Sequence, residues 1–193
     1  MRHAQPLIPI KDSAWVKKIK SLFEKMDLAY EASASVSGFT CNGCTDNCCY
    51  SLFYHHTLLE LFYLKEGLKQ LSEEDLAKVV FRAQEVTPLL HQKAENGSEE
   101  KIPCPLMDDG KCLAYNHRPM VCRLHGVAHI LERPDGNVMQ SPGCHIYEGA
   151  GKESLPLNRT PLYQEMAGLE RALRKETGFS DRLKLTIAEM ILL

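Results

Sequence analysis

The sequence predicts a mainly α-helical protein with a small β- and loop-rich metal-binding segment (α+β), the helices being packed around a cysteine-ligated site. Apolar residues recur at helical spacing early and late in the chain, and this periodicity fades from Lys101 to Gly151, where Gly, Pro and Asp are frequent. With 193 residues, 44% of them hydrophobic, the chain has material for one core. We expect a single domain, 1–193, with a helical part at 12–40, a cysteine-rich core at 41–151 and C-terminal helices at 160–193.

The first helix is predicted from Asp12 to Ala32. Its apolar positions share one helical face, and its lysines occupy other faces. These apolar positions are Trp15, Ile19, Leu22, Phe23, Met26 and Tyr30. Ser33 to Gly38 is small and polar, and we expect it to form a loop.

Two helices are predicted after the first cysteines. His56 to Lys69 fits one of them, and Ser72-Glu73-Glu74-Asp75 has the capping-box pattern that begins the next. This second helix should run to about His91, with Pro88 kinking or ending it. The charged segment Ala94 to Glu100 contains a glycine and is interpreted as a surface loop.

The middle of the chain predicts short hairpins. Asp108-Asp109-Gly110 has the composition of a hairpin turn, and Pro134-Asp135-Gly136 is a turn between the predicted strands 127–132 and 137–140. We find few bulky core residues in this segment and expect metal ligation to hold it together.

Two helices are predicted at the end of the chain. Thr160-Pro161 opens one of them with proline at a first-turn position, and Gly178 ends it. Thr186-Ile187-Ala188-Glu189 repeats the capping-box pattern before a short apolar stretch. That stretch should pack onto the core or onto a partner.

Charge and hydropathy limit the partners. With 23 basic and 25 acidic residues, the net charge of −2 favours neither nucleic acid nor an anionic membrane surface. The segment Met1 to Ile10 lacks the apolar stretch of a signal peptide, and Ile187 to Leu193 is too short to cross a bilayer. We expect a cytoplasmic protein whose cysteines stay thiols or bind metal, and structural disulfides are the less favoured alternative.

The cysteines carry the chemistry, because thiolates at close spacing are ligands for soft metals. All eight are candidate metal ligands: Cys41, Cys44, Cys48, Cys49, Cys104, Cys112, Cys122 and Cys144. The side chains of adjacent Cys48 and Cys49 point to opposite sides of an extended chain. One of them should therefore join Cys41 and Cys44, while the other faces a second site or a bridging position.

Other polar residues near the cysteines have two interpretations each. His125 and His145 lie within three residues of a cysteine and are candidate ligands, although a single histidine is more often hydrogen-bonded or at the surface. Arg118 and Arg123 either bind an anionic substrate or pair with local acids, and the second interpretation is favoured. The acids in question are Asp108, Asp109 and Glu132.

Aromatic residues in this region are interpreted as core. Tyr115 is expected to pack in the interior with its hydroxyl hydrogen-bonded. The pairs Phe53-Tyr54 and Phe62-Tyr63 are likewise expected to be core rather than a cofactor box. Neither a nucleotide-binding glycine loop nor a serine nucleophile elbow is present, so no catalytic residue is assigned.

The later cysteine stretch resembles that of the zinc- or iron-chelating CxxCxxCC family, the YkgJ-type cysteine-cluster proteins. The matching positions are Cys104-Pro105-Leu106, Cys112, Tyr115, Arg118-Pro119 and Cys122-Arg123. The resemblance covers about residues 40 to 126 and implies metal binding through these cysteines. The chain departs from the family pattern at Thr45-Asp46-Asn47, where three residues separate Cys44 from Cys48 instead of two.

The same motif is similar to part of the flagellin lysine-N-methylases, and that resemblance implies an iron–sulfur cluster and protein modification.

The cysteines are compatible with three functions. The first is a metalloprotein that binds an iron–sulfur cluster, an iron ion or zinc, which thiolates suit equally well. The second is a metal-dependent enzyme acting on a protein or peptide partner. The third is a metal chaperone or thiol sensor with exposed, reactive cysteines.

Overall fold

The computed structural model describes residues 13–41, 48–150 and 155–193, and the fold of these residues is mainly helical with small strands, which confirms the predicted fold class. In this part of the chain the helices are α1 Ser13–Ser37, α2 Leu58–Leu68, α3 Glu73–Asn96, α4 Met120–Leu124, α5 His145–Ala150, α6 Thr160–Thr177 and α7 Ile187–Leu192. The strands are β1 Met107–Asp108, β2 Lys111–Cys112, β3 His129–Glu132, β4 Val138–Ser141 and β5 Leu157–Asn158.

The chain divides into two compact units. Unit 1 comprises Met1–Leu7, Gly43–Pro119 and Phe179–Leu193, and unit 2 comprises Ile8–Asn42 and Met120–Gly178. The cysteine-rich stretch thus contributes to both units. The single domain expected from the sequence stays a prediction.

In unit 1, helices α2, α3 and α7 form the core. Helix α3 packs on α7, with Val79, Ala83 and Val86 of α3 buried. The Oγ1 of Thr186 accepts the backbone N–H of Glu189, while the Glu189 carboxylate accepts the N–H of Thr186 at 2.7 Å. This reciprocal pair is the predicted capping box, and it fixes where α7 begins.

The second predicted cap is also confirmed, because Ser72 Oγ accepts the backbone N–H of Asp75 at the start of α3. The predicted end of this helix is wrong. Pro88 lies inside α3, which continues to Asn96 and ends where Gly97 adopts φ +67°. The last three residues of α3, Ala94 to Asn96, are exposed and lie in the segment that the sequence predicted to be a surface loop.

In unit 2, α1 is longer than predicted. The five apolar positions from Trp15 to Met26 are buried as expected. Ser33 to Ser37, predicted to be a loop, continues the helix, because Ser37 Oγ donates to the carbonyl oxygens of Ser33 and Ala34. Gly38 then ends the helix with φ +63°.

Helix α1 packs against α4, α6 and β5, and a three-stranded sheet completes unit 2. Strand β3 pairs antiparallel with β4, as the predicted turn at Pro134 to Gly136 requires, and parallel with β5. The expectation that this region lacks core residues is wrong. Several of its apolar side chains are buried, namely Ile102 and Leu106 in unit 1 and Leu124, Val127 and Tyr147 in unit 2.

Among the described residues, no helix combines the length and the hydropathy that a bilayer-spanning segment requires.

Candidate metal centre

Four cysteines from two distant stretches of sequence come together in unit 1. Cys48 and Cys49 begin a 3-10 turn, Cys48–Tyr50, while Cys104 precedes β1 and Cys112 ends β2. The backbone N–H of Cys104 donates to the carbonyl oxygen of Cys49 at 2.7 Å. The Cys104 thiol interacts electrostatically with those of Cys48 and Cys112. The fold therefore assembles one group of four thiols, which we call the unit 1 cysteine group.

The two adjacent cysteines share one environment. Their side chains are hydrogen-bonded to each other. The sequence-based interpretation placed these sulfurs on opposite sides of an extended chain, and that premise is wrong, because a 3-10 turn brings consecutive side chains round by about a third of a turn rather than alternating them. Adjacent thiols on such a turn are able to serve one centre.

Backbone N–H groups point at two of the sulfurs. The N–H of Leu106 acts on Cys104 Sγ and that of Ala114 on Cys112 Sγ, and each favours the thiolate, whereas the N–H of Met107 donates to the Cys104 carbonyl oxygen at 2.9 Å. Pro105, directly after Cys104, has no N–H to offer, so the donor to this sulfur is the following residue. Such N–H to sulfur bonds orient thiolate ligands and stabilise their charge, and this donor set fits a metal ion.

The environment of Cys48, Cys104 and Cys112 disfavours bare thiolates at these three sulfurs. Burial raises the pKa of Cys104 to about 12. The hydrogen bond with Cys49, followed by burial, raises the pKa of the Cys48 thiol, and burial raises that of Cys112. The thiols are thus protonated at neutral pH unless a cation compensates the thiolate charge, and metal ions do this for thiol ligands.

Arg118 is the positive side chain nearest to this group. Its charge acts on Cys48 and Cys112, where it opposes the rise in thiol pKa. The guanidinium lies 3.7 Å from the centroid of the Tyr115 ring and donates to the Tyr115 carbonyl oxygen at 3.0 Å. Tyr115 is 59% exposed, so its predicted burial in the core is wrong. Its ring supports Arg118 from the solvent side.

The predicted partners of the arginines also need correction. Asp108 pairs with Arg82 of α3, whose Nη2 lies 2.6 Å from the Asp108 carboxylate. The buried Arg123 pairs with Asp27 of α1 and lies over the Phe23 ring at 4.5 Å from its centroid. The structural role favoured for Arg123 agrees with these contacts, but sequence spacing gave no sign of Arg82 or Asp27.

Three further cysteines belong to unit 2. Cys41 is exposed at the end of a described segment, Cys122 lies in α4, and the N–H of Cys144 donates to the Gly126 carbonyl oxygen at 2.8 Å. Cys44 lies outside the described residues. None of the seven cysteines in the described part of the chain is in a disulfide bond.

The candidate histidines lie in unit 2 as well. His125 is half-buried and follows α4, and His145 is exposed at the start of α5. Within 13–41, 48–150 and 155–193, no group of three or more His, Cys, Asp or Glu side chains is arranged so that it could hold a metal ion as it stands. The assignment of all eight cysteines as ligands therefore stays a prediction.

Comparison with known proteins agrees with the cysteine chemistry. The CxxCxxCC family model, described as "Putative zinc- or iron-chelating domain", matches residues 40–144, more than half of the chain. The match extends past Cys122 to Cys144, a cysteine that the sequence motif alone did not include. Searches of curated proteins and of solved structures found no match.

Proposed function

Because the chain belongs to the CxxCxxCC family, we propose that it is a metal-binding protein whose unit 1 cysteine group holds an iron or zinc centre. The ligands would be Cys48, Cys49, Cys104 and Cys112. The metal would link the 3-10 turn Cys48–Tyr50 to the β1–β2 hairpin, and more than fifty residues of sequence separate the two.

One observation carries this proposal, namely that the N–H of Leu106 acts on the Cys104 sulfur and the N–H of Ala114 on the Cys112 sulfur. A purely structural thiol has no need of a backbone donor, since it behaves as a small apolar group. A metal-bound thiolate has excess negative charge, and N–H donors spread that charge. The donors thus support ligation rather than packing.

Metal sites in small proteins are seldom fully preformed, and binding energy pulls the ligands into place. We propose that the four thiols of this group close on the ion in this way. The turn at Asp109 and Gly110 between β1 and β2 is exposed, and open space surrounds Gly110. We expect metal binding to order this hairpin.

The other four cysteines, Cys41, Cys44, Cys122 and Cys144, are proposed as ligands as well, and the metal is an iron–sulfur cluster, an iron ion or zinc. Four thiols suit a tetrahedral zinc site or a cluster equally well, so the metal is to be identified by experiment.

The test is metal analysis and absorption spectroscopy on protein purified without oxygen. We expect at least one equivalent of iron or zinc, with visible absorption only in the case of iron. Cys104→Ser and Cys112→Ser should each lower the metal content of the purified protein. Lys111→Gln, an exposed neighbour of Cys112, is the matched control and should keep it.

Two outcomes would count against the proposal. One is a purified protein with less than about half an equivalent of any metal. The other is wild-type metal content in both cysteine variants. The two alternative functions, a metal chaperone and a metal-dependent enzyme, predict different results. A chaperone would lose its metal to a mild chelator, and a metal-dependent enzyme would keep one coordination position open to solvent or substrate.

A further inference from the structure

Unit 2 contains a buried arginine that is not part of the proposed metal centre. Arg159 directly precedes α6 and is only 7% exposed. Its guanidinium donates to the Leu124 carbonyl oxygen and hydrogen-bonds with the Tyr163 hydroxyl. Its Nε is buried without a hydrogen-bond partner. Among the described residues, Arg159 has no carboxylate partner, in contrast to Arg123 and Arg174, which pair with Asp27 and Glu170.

Two imidazoles lie beside this guanidinium. The N–H of Arg159 donates to the Ile130 carbonyl oxygen at 2.9 Å, and His129 pairs with Leu157 in the parallel β3–β5 ladder. His129 shares a face of the sheet with its partner Leu157. Because side chains alternate along an extended chain, Arg159, two residues after Leu157, is on that face as well. His125 is next to Leu124, whose carbonyl oxygen accepts from Arg159.

The electrostatics of this cluster favour an anion. Burial and then the charge of Arg159 lower the pKa of both His125 and His129. A buried guanidinium normally pairs with an acid, because an uncompensated buried charge is costly. The first turn of the 18-residue helix α6 contains no acidic residue and adds the positive end of its dipole.

We propose that Arg159, His125, His129 and Tyr163 form a binding site for a phosphate-type oxyanion, either free or as a phosphate group of a larger molecule. The Nε of Arg159 would donate to one oxygen. The two imidazoles and the Tyr163 hydroxyl line the site next to the guanidinium. A guanidinium fork beside the N-terminus of a helix suits the geometry and charge of a phosphate group. This proposal does not depend on the metal centre of unit 1.

The test is isothermal titration calorimetry, in which inorganic phosphate is added to the purified full-length protein at constant ionic strength. We expect wild-type protein to bind with a Kd of about 1 mM or tighter. Arg159→Gln should weaken binding about tenfold or more, the effect of one lost charge-assisted hydrogen bond. Arg171→Gln, an exposed arginine of α6 with the same change in charge, should keep wild-type affinity.

Further arms complete the experiment. His129→Gln keeps the β3–β5 backbone pairing and should weaken binding several-fold, so it serves as a test even if Arg159→Gln does not fold. Acetate should bind more weakly than phosphate. Tighter binding of a phosphate monoester than of inorganic phosphate would indicate that the natural ligand carries its phosphate on a larger group, and equal binding would indicate free phosphate. Metal content is measured for each variant, so that loss of metal is not mistaken for loss of the anion site.

The proposal would be overturned by wild-type protein that binds no phosphate at millimolar concentration, by acetate binding as tightly as phosphate, or by folded Arg159→Gln and His129→Gln variants with undiminished affinity. In the last case Arg159 would serve only to join Leu124 to Tyr163.

Discussion

Gly67 of α2 lies so close to His117 that a Cβ added to Gly67 would stand 2.5 Å from the Cβ of His117. His117 ends the 3-10 turn Tyr115–His117, and its ring lies 4.6 Å from that of Tyr63, also in α2. The absence of a side chain at Gly67 thus lets the turn rest directly on the helix. This turn joins Cys112 of the unit 1 cysteine group to Arg118, so its position matters for the candidate metal centre.

We expect Gly67→Ala to lower the free energy of unfolding by about 1–3 kcal/mol, the usual cost of forcing an extra carbon into a packed interior. The contact is with a Cβ, which cannot swing away as the end of a long side chain can. The steric cost should outweigh the gain of about 1 kcal/mol that alanine brings to a helix over glycine. Urea unfolding followed by circular dichroism measures the difference.

Gly168 of α6 is the matched control, because it is also helical but has no atom within 4 Å of an added Cβ. Gly168→Ala should stabilise the protein by up to about 1 kcal/mol. If both variants change stability in the same direction by the same amount, the contact between Gly67 and His117 does not restrict this position.

The sequence predicted those parts of the fold that depend on neighbouring residues. Ser72 and Thr186 were identified as caps because a capping box is complete within four residues. The ends of α1 and α3 were predicted wrongly, because Ser33 donates its hydroxyl to the Leu155 carbonyl oxygen, Ser37 donates its own within α1, and α3 tolerates Pro88. Propensity alone does not decide such positions, since tertiary packing overrides it.

The candidate site was predictable at the level of residue type but not of arrangement. Close thiol spacing identified the cysteines as candidate ligands, whereas the grouping of Cys48 and Cys49 with Cys104 depends on a backbone contact across more than fifty residues. The N–H donor to Cys104 also depends on the local turn. The pairing of Arg82 with Asp108 joins two segments whose proximity no local pattern records.

A second glycine restricts the backbone before Cys144. Gly143 has φ +97°, and a Cβ there would meet the Gly126 carbonyl oxygen at 2.6 Å and the Ala128 nitrogen at 2.9 Å. Gly143→Ala therefore combines strain of about 1–2 kcal/mol from the left-handed backbone with a clash against main-chain atoms. We expect a loss of roughly 3 kcal/mol or more in the free energy of unfolding, measured by urea denaturation.

Gly136 allows the two contributions to be separated. It also has a positive φ, +81°, but open space surrounds it. Gly136→Ala should therefore show the backbone strain alone, about 1–2 kcal/mol. If Gly136→Ala lowers the free energy of unfolding as much as Gly143→Ala does, the contact of position 143 with Gly126 and Ala128 contributes nothing to the cost.

The thiol of Cys104 predicts a decrease in stability at alkaline pH for metal-free protein. Burial raises its pKa in the folded state from 9.0 to about 12. The folded state therefore holds this proton more tightly than the unfolded state, and the corresponding stability is present below pH 9 and lost as the pH rises towards 12. Urea unfolding at several pH values under reducing, oxygen-free conditions measures this slope. Cys104→Ser should make it shallower, and an unchanged slope would contradict the assignment.

Metal binding to the unit 1 cysteine group should release protons at neutral pH. The thiols of Cys48, Cys104 and Cys112 have raised pKa values, through burial and, for Cys48, first through the hydrogen bond with Cys49, and only thiolates bind metal. Adding zinc to the reduced, metal-free protein should therefore release about one proton for each thiol that becomes a ligand, measured with a pH indicator. Cys112→Ser should release about one proton fewer per bound ion, whereas Lys111→Gln should match the wild type. Zinc binding without proton release would mean that the metal is held by groups other than these thiols.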